Sequence, residues 1–293
     1  MSIIRDNILI TGGNGLLGQE LRVLLERCNF NIIATGIGVD RLLSHNHIYV
    51  ELDVSSSNRC EYILNKYSPS IIINTAACTN VDQCEKHKNN CTAINVNSIN
   101  NFLPYVTKHH THFIHISTDF VFDGVLGNYK ENDDCNPLNF YGLSKLKGEQ
   151  ILTNQCWTST IIRTSLIYGP TGSNFLTWVK NELEHDVELN IVCDQYRTPT
   201  YVIDLSLVIL RMIELKKYGL YHISSGERLS IFKIVCNIAE YLKQDVSKIN
   251  RIKSAELNQV ARRPLDSSLN IEKAVKDFDF TPTTLNNVLN NIL

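Results

Sequence analysis

The chain has 293 residues, of which 43% are hydrophobic and 20% charged, ordinary values for a folded globular protein. Its 28 Lys and Arg against 30 Asp and Glu leave a net charge of −2, which argues against both disorder and a non-specific electrostatic grip on nucleic acid. No run approaches the ~18 apolar residues of a membrane span, and residues 1–6 enter a strand pattern without a signal-peptide layout, so a cytoplasmic protein is expected.

Residues 7–11 (NILIT) form a short apolar run, followed by glycines and then by Leu16, Leu17, Leu21, Leu24 and Leu25 at helical spacing: strand, turn, helix. Strand-like runs recur at 31–35, 48–52, 70–74, 112–117 and 159–164, each about one crossover away from the last. Six such strands in order suit a doubly wound, dinucleotide-binding parallel sheet of α/β class. The breakers of 169–174 (GPTGSN) then change the rhythm, and a smaller lobe is predicted to begin there. Residues 201–215 read as a helix starting near Asp204, 221–225 as a strand returning to the sheet, and 229–242 as another helix. The predicted organisation is a dinucleotide-binding domain over 1–168 and a mainly substrate-binding lobe over 169–293.

Nine cysteines lie between Cys28 and Cys236 without a C-x-x-C pair, which suggests neither a disulfide framework nor a zinc ribbon. Cys84, His87 and Cys91 would share a helix face, with Cys78 upstream, but buried thiols more often fill a core, and no metal is expected. His109, His110 and His112 read as solvated imidazoles approaching a strand.

Residues 12–18 (GGNGLLG) sit between the first strand and the first helix. Gly12, Gly15 and Gly18 permit a tight turn and close backbone approach, so a pyrophosphate can rest on the amides of this segment, Asn14, Leu16 and Leu17 included. The second strand ends in Thr35-Gly36-Ile37-Gly38, without the acid that would repel a 2′-phosphate. NADP(H) is therefore the preferred cofactor, with NAD(H) admitted; Arg41 could meet the phosphate, and Asp40 beside it opposes that. The G-x-x-G-x-x-G spacing resembles the extended short-chain dehydrogenase/reductase superfamily, a Rossmann fold. That resemblance implies an adenine contact at Asp53 and Val54 and a small-residue cofactor wall at Ala76 and Ala77.

Tyr141 and Lys145 are four residues apart, so on a helix they share a face. A phenol with a pKa near 10 is a sluggish proton donor at neutral pH, and a neighbouring ammonium brings proton transfer closer to matched while also reaching ribose hydroxyls. Thr118, at the end of the fifth strand, can bond the same carbonyl oxygen, and Thr118, Tyr141 and Lys145 together make a ketone-reducing site.

Five blocks in order, 117–124 (STDFVFDG), 137–149 (PLNFYGLSKLKGE), 163–169 (RTSLIYG), 194–200 (DQYRTPT) and 261–264 (ARRP), resemble the dTDP-4-dehydrorhamnose reductase family. The likeness runs from residue 7 to about 270. It implies NAD(P)H-dependent reduction of the C4 ketone of a dTDP- or UDP-linked 4-keto-6-deoxyhexose, the proton coming from Tyr141, and a homodimer as the assembly. Thr79, Val81, Thr118, Asp119, Phe120 and Asn174 are then assigned to the nucleotide sugar, joined by Arg197 and Arg262, whose guanidinium forks suit a diphosphate. Leu166 stands where the family often has Trp, and Arg197 where many members carry a small residue. Phe120 replaces the Cys of bifunctional relatives, which favours a reductase without 3,5-epimerase activity. The alternatives are that bifunctional activity, or a non-catalytic NADP-binding subunit resembling the β regulatory subunit of methionine adenosyltransferase.

Overall fold

Ile-rich runs of four to seven residues bury both faces only when helices cover both sides of a sheet, and the chain folds accordingly. The computed structural model describes residues 6–42, 47–185 and 187–292; the reading of residues 1–5 lies outside them. β1 (Asn7–Thr11) leads through α1 (Leu16–Arg27) to β2 (Asn31–Gly36) and β3 (Ile48–Glu51), and α2 (Ser57–Tyr67) leads back to β4 (Ile71–Asn74). α3 (Val81–Lys86), α4 (Lys88–Thr92), a π-helical turn at Ala93–Asn97 and α5 (Ser98–His109) precede β5 (His112–Thr118); α6 (Phe140–Gln155) precedes β6 (Ser159–Thr164). Beyond lie β7 (Ile167–Tyr168), α7 (Phe175–Glu184), β8 (Leu189–Val192), β9 (Tyr196–Arg197), β10 (Thr200–Tyr201), α8 (Val202–Leu215) and β11 (Gly219–His222). β12 (Leu229–Ser230), α9 (Ile231–Tyr241), β13 (Ile249–Ile252), α10 (Glu272–Phe278) and α11 (Leu285–Ile292) complete the chain.

The central sheet has the order β11-β6-β5-β4-β1-β2-β3, and its neighbours pair in parallel. Winding reverses between β1 and β4, where Thr11 pairs with Asn74, so the carboxyl ends of these strands open the crevice in which such sheets bind ligands. One face buries Ile8 and Ile10 against α1, α8 and α10; the other buries Leu9 and Ile72 against α2 and α5. Each fully buried Leu or Ile contributes roughly 1.5–3 kcal/mol relative to exposure. A third core, including Val179, Leu189, Val235 and Val288, holds α7, α9 and α11 together.

The division at 168 was drawn along the sequence. In space α8 and α10, both beyond it, share the core of the sheet, and β11 is its edge strand. The helix expected to start near Asp204 starts at Val202, because strand β10 delivers the chain directly into it; Asp204 instead accepts the Thr283 N–H at 2.6 Å. The strand expected at 221–225 is β11, two residues earlier, since β6 offers pairing from Thr160 to Arg163. The helix read as 229–242 begins at Ile231, with Ser230 as its N-cap. His112 is not solvated: it is buried in β5 with Nε2 2.7 Å from Thr160 Oγ1, while His109 and His110 are exposed.

Candidate active site

β1 is followed by Gly12, whose φ of +67° belongs to the left-handed region and whose missing Cβ would stand 2.7 Å from Ala76 N and 2.8 Å from Thr75 Oγ1. The turn therefore lies flat against the end of β4. Gly15 N donates to Gly12 O at 2.9 Å, and Gly15 is the N-cap of α1 without a side chain to cap it, which leaves the positive end of the helix to a ligand. A cavity of about 780 Å³ opens there, within the range of small-molecule sites. Gly12, Gly15, Leu16, Leu17 and Gly18 form its floor, Asp53, Val54, Ala76 and Ala77 one side, and Thr118, Tyr141 and Lys145 the opposite wall. A flat glycine cradle at a helix N-terminus fits a dinucleotide pyrophosphate.

The catalytic wall is built by α6. Asn139 caps it, accepting Gly142 N at 2.9 Å, so that Tyr141 stands in the first turn and Lys145 one turn on, both toward the end of β5. Thr118 and Tyr141 both line this wall, and Thr118 Oγ1 donates to Asp119 Oδ1 at 3.2 Å. Burial pushes the Tyr141 phenol above its ordinary range, the nearby Thr118 hydroxyl opposing, so at neutral pH it is a protonated donor. Lys145 is 2% exposed, and burial lowers its ammonium pKa to about 8 against the pull of Glu149 and Cys91.

Behind this wall the polar groups are paired. Ser117 Oγ donates to Glu149, whose carboxylate takes the Arg163 guanidinium at 2.7 to 3.1 Å. Asp119 receives the hydroxyls of Ser165 and Ser267 and faces Arg197 Nε at 3.7 Å; burial raises its pKa, with Arg197 opposing. Among the described residues no group of three or more His, Cys, Asp or Glu could hold a metal ion, and no helix is long and apolar enough to cross a membrane.

A family model described as the RmlD substrate binding domain matches residues 6–293. The chain belongs to this family. A dTDP-4-dehydrorhamnose reductase of Aggregatibacter actinomycetemcomitans is 31% identical over 299 residues, covering 97% of each chain. The solved structure of dTDP-4-dehydrorhamnose reductase from Bacillus anthracis in complex with NADP superposes with a TM-score of 0.88 at 29% identity, covering 99% of each chain. Methionine adenosyltransferase 2 subunit beta of Bos taurus is 27% identical over 93% of this chain and 83% of its own.

Not every residue expected at the site of this RmlD-family chain reaches the cavity. The Asn14 side chain turns away from it: Nδ2 donates to Ile37 O, Val39 O and Tyr49 Oη, and Oδ1 accepts Arg41 N, so Asn14 pins the loop after β2. Asp40, read beside Arg41 as a counter to a phosphate, is taken by the fully buried Arg22 at 2.7 Å. Arg197 is 4% exposed and lies under the Phe120 ring, 5.0 Å from its centroid, occupied with Asp119 rather than open to a diphosphate. Phe120 itself makes an edge contact with Tyr141 and lies outside the cavity wall. Arg262 is exposed, away from the cavity, and contributes its carbonyl to Asn139 Nδ2, whereas Arg263 pairs with Asp82 at 2.6 Å. Val81 starts α3 off the wall, while Thr79, Asp119 and Asn174 line it; the Asn174 side chain caps α7.

Thr164 and Ile167, which the sequence reading left out, line the cavity together with Leu166 and Phe175. Leu166 has φ +42°, a conformation disfavoured for a branched side chain and held here by the Thr200 N–H on its carbonyl. His115 and Asn74 were also missed. Neither strand carries an alternating polar pattern, β4 reading IIIN and β5 HFIHIST, and the general rule that a polar side chain in a doubly covered strand needs an internal partner does not say which partner.

Proposed function

We propose that this protein reduces the C4 ketone of a dTDP- or UDP-linked 4-keto-6-deoxyhexose, using Thr118, Tyr141 and Lys145. It is an NAD(P)H-dependent oxidoreductase of nucleotide-sugar metabolism, with NADP(H) preferred in our reading and NAD(H) admitted. The observation that carries the finer reading is the meeting, across one cavity, of a glycine-rich phosphate cradle with a hydroxyl, a phenol and an ammonium.

When bound, the reduced nicotinamide supplies a hydride to the carbonyl carbon. The residues of this chain manage the oxygen. Thr118 and Tyr141 hold it by hydrogen bonds, and as negative charge develops Tyr141 passes its proton to it, leaving a phenolate that the Lys145 ammonium steadies. A phenol kept protonated by burial suits reduction better than oxidation. Lys145 and Tyr141 would also hold the cofactor ribose, and Asp53, Val54, Ala76 and Ala77 would take the adenosine end and cofactor wall. The hexose would lie toward Thr79, Leu166 and Asn174.

Tyr141→Phe tests this assignment. Decay of NADPH absorbance with a 4-keto nucleotide sugar should fall by about 10²–10⁴-fold while NADPH still binds, and unchanged turnover would reject Tyr141 as the donor. The likeness to a methionine adenosyltransferase subunit favours a second reading, a cofactor-binding regulatory subunit; sustained NADPH consumption by the purified chain separates the two. A bifunctional epimerase would exchange the C3 and C5 protons with deuterated solvent before reduction, and Phe120 brings no acid or base for that exchange.

A further inference from the structure

Three thiols that the reduction does not use converge behind the edge of the cavity. Cys78 lies between Ala77 and Thr79, both in the cavity wall, and is half-buried; Cys84 on α3 and Cys91 on α4 are fully buried. Cys84 Sγ lies 3.4 Å from Cys78 Sγ, in contact with it, and a further approach of about 1.4 Å would bring the pair to a disulfide bond length of ~2.05 Å. Cys91 also touches Cys84, but its sulfur is held by Asn95 Nδ2 and by Ser144 Oγ, each at 3.3 Å.

We propose that Cys78 and Cys84 form a reversible, peroxide-sensitive dithiol, a modification site at the mouth of the cavity. The Cys78 thiolate attacks a peroxide oxygen: an S–O bond forms, the O–O bond breaks, sulfur gives up two electrons, and hydroxide leaves and takes up the proton released when the thiol ionised, so that a sulfenic acid and one water result. Cys84 then attacks that sulfur. The S–S bond forms, the S–O bond breaks, the thiol proton joins the departing hydroxide, and a second water is released. A thiol reductant reverses the result.

Closure reaches the active site through Asn95. The Cys78 N–H donates to Asn95 Oδ1 at 2.8 Å, and Asn95 Nδ2 donates to Cys78 O at 3.1 Å and to Ser144 Oγ at 2.9 Å. Ser144 adjoins Lys145 and donates to Tyr141 O at 2.7 Å. Drawing Cys78 toward α3 therefore shifts Thr79 in the cavity wall and strains the clamp on α6. This catalytic consequence rests on the reductase reading, whereas the disulfide itself does not.

The 293-residue chain is treated with hydrogen peroxide, the excess peroxide is removed, and the protein is unfolded in guanidinium, alkylated and digested with trypsin; residues 67–86 form one peptide holding Cys78, Cys84 and no other cysteine. That peptide should lose two hydrogens, escape alkylation, and regain both thiols with dithiothreitol. Cys78→Ser should leave Cys84 open to alkylation, and Cys84→Ser should leave a sulfenic acid on Cys78 that dimedone traps. Both wild-type thiols still alkylated after peroxide is consumed, or a cross-link from Cys84 to Cys91, overturns the proposal. In the activity arm, oxidised wild type should lose NADPH consumption several-fold and recover it on reduction, while Cys84→Ser resists. An unchanged rate in the cross-linked protein overturns the coupling, and a cross-link in a chain that never turned over supports the dithiol and counts against the reductase reading alone.

Discussion

Lys145 Nζ lies 3.2 Å from His115 Nε2, deep in the sheet, and His115 Nδ1 lies 3.1 Å from Asn74 Nδ2. Thr11 Oγ1 donates to Asn74 Oδ1 at 2.6 Å, which turns the Asn74 amide N–H toward Nδ1 and assigns the remaining imidazole proton to Nε2, facing Lys145. Burial, and then the Lys145 charge, keep His115 neutral. Burial, with no acceptor gained from this imidazole N–H, lowers the Lys145 pKa to about 8, and with the ammonium goes the support for a Tyr141 phenolate. Reduction needs Lys145 charged and Tyr141 protonated, so kcat/KM should be level near neutral pH and fall above about 8; a profile flat to pH 10 would refute this role for Lys145.

Gly12→Val should cost at least about tenfold in NADPH affinity, or 1.4 kcal/mol, by fluorescence titration. The new side chain meets Ala76 N and Thr75 Oγ1 in a left-handed turn that itself costs ~1–2 kcal/mol for an L-residue, so the cradle must lift from β4. Unchanged affinity would place the pyrophosphate elsewhere.

Glu149→Gln should destabilise the fold by about 3–5 kcal/mol in denaturant titration, because Arg163 then keeps its charge in the core without a counter-ion. Replacing both residues by apolar ones of similar volume should recover part of that loss. A cost below about 1 kcal/mol for the single change would show that Arg163 relaxes to water.

Stability should fall as pH drops below about 6.5. Burial holds His112 at about 4, His222 at about 3 and His115 well below its ordinary value, all neutral in the native state. These folded pKa values are depressed, so between them and 6.5 the unfolded chain binds more protons and is favoured as pH falls, by up to about 1.4 kcal/mol per imidazole per pH unit. Thermal melts from pH 7 to 5 should show a declining Tm, less steep in His222→Phe; equal melting temperatures across that range would refute it.

The glycine turn and the Tyr141–Lys145 pair were legible because each is local: a turn needs Gly at fixed offsets, and four residues of helix align two side chains. The seven strands of the central sheet were legible from apolar runs, their ends moving where pairing decided, as at β11, whereas β7 to β10, β12 and β13, two to four residues each, are too short to leave such a run. What stayed hidden depends on partners far along the chain. Arg197 looks like a diphosphate ligand until Asp119, 78 residues earlier, is folded against it. Asn14 looks like part of the cradle until the β2–β3 loop presents two carbonyls, and Tyr49 of β3 its hydroxyl, to its amide. His115 and Asn74 are unremarkable in the sequence and meet only because β4 and β5 are neighbours in parallel register.

Asn139 caps α6 and also donates to the Arg262 carbonyl, at 2.8 Å across 123 positions. Ser267 reaches Asp119, and Tyr129 N donates to Ser268 O, in the same seam. During synthesis, then, neither half of the site is finished early: α1, which carries the cofactor cradle, shares its core with α8 and α10, and the start of the helix that bears the proton donor is tied to residue 262, so the whole cavity is completed only once the last third of the chain has emerged.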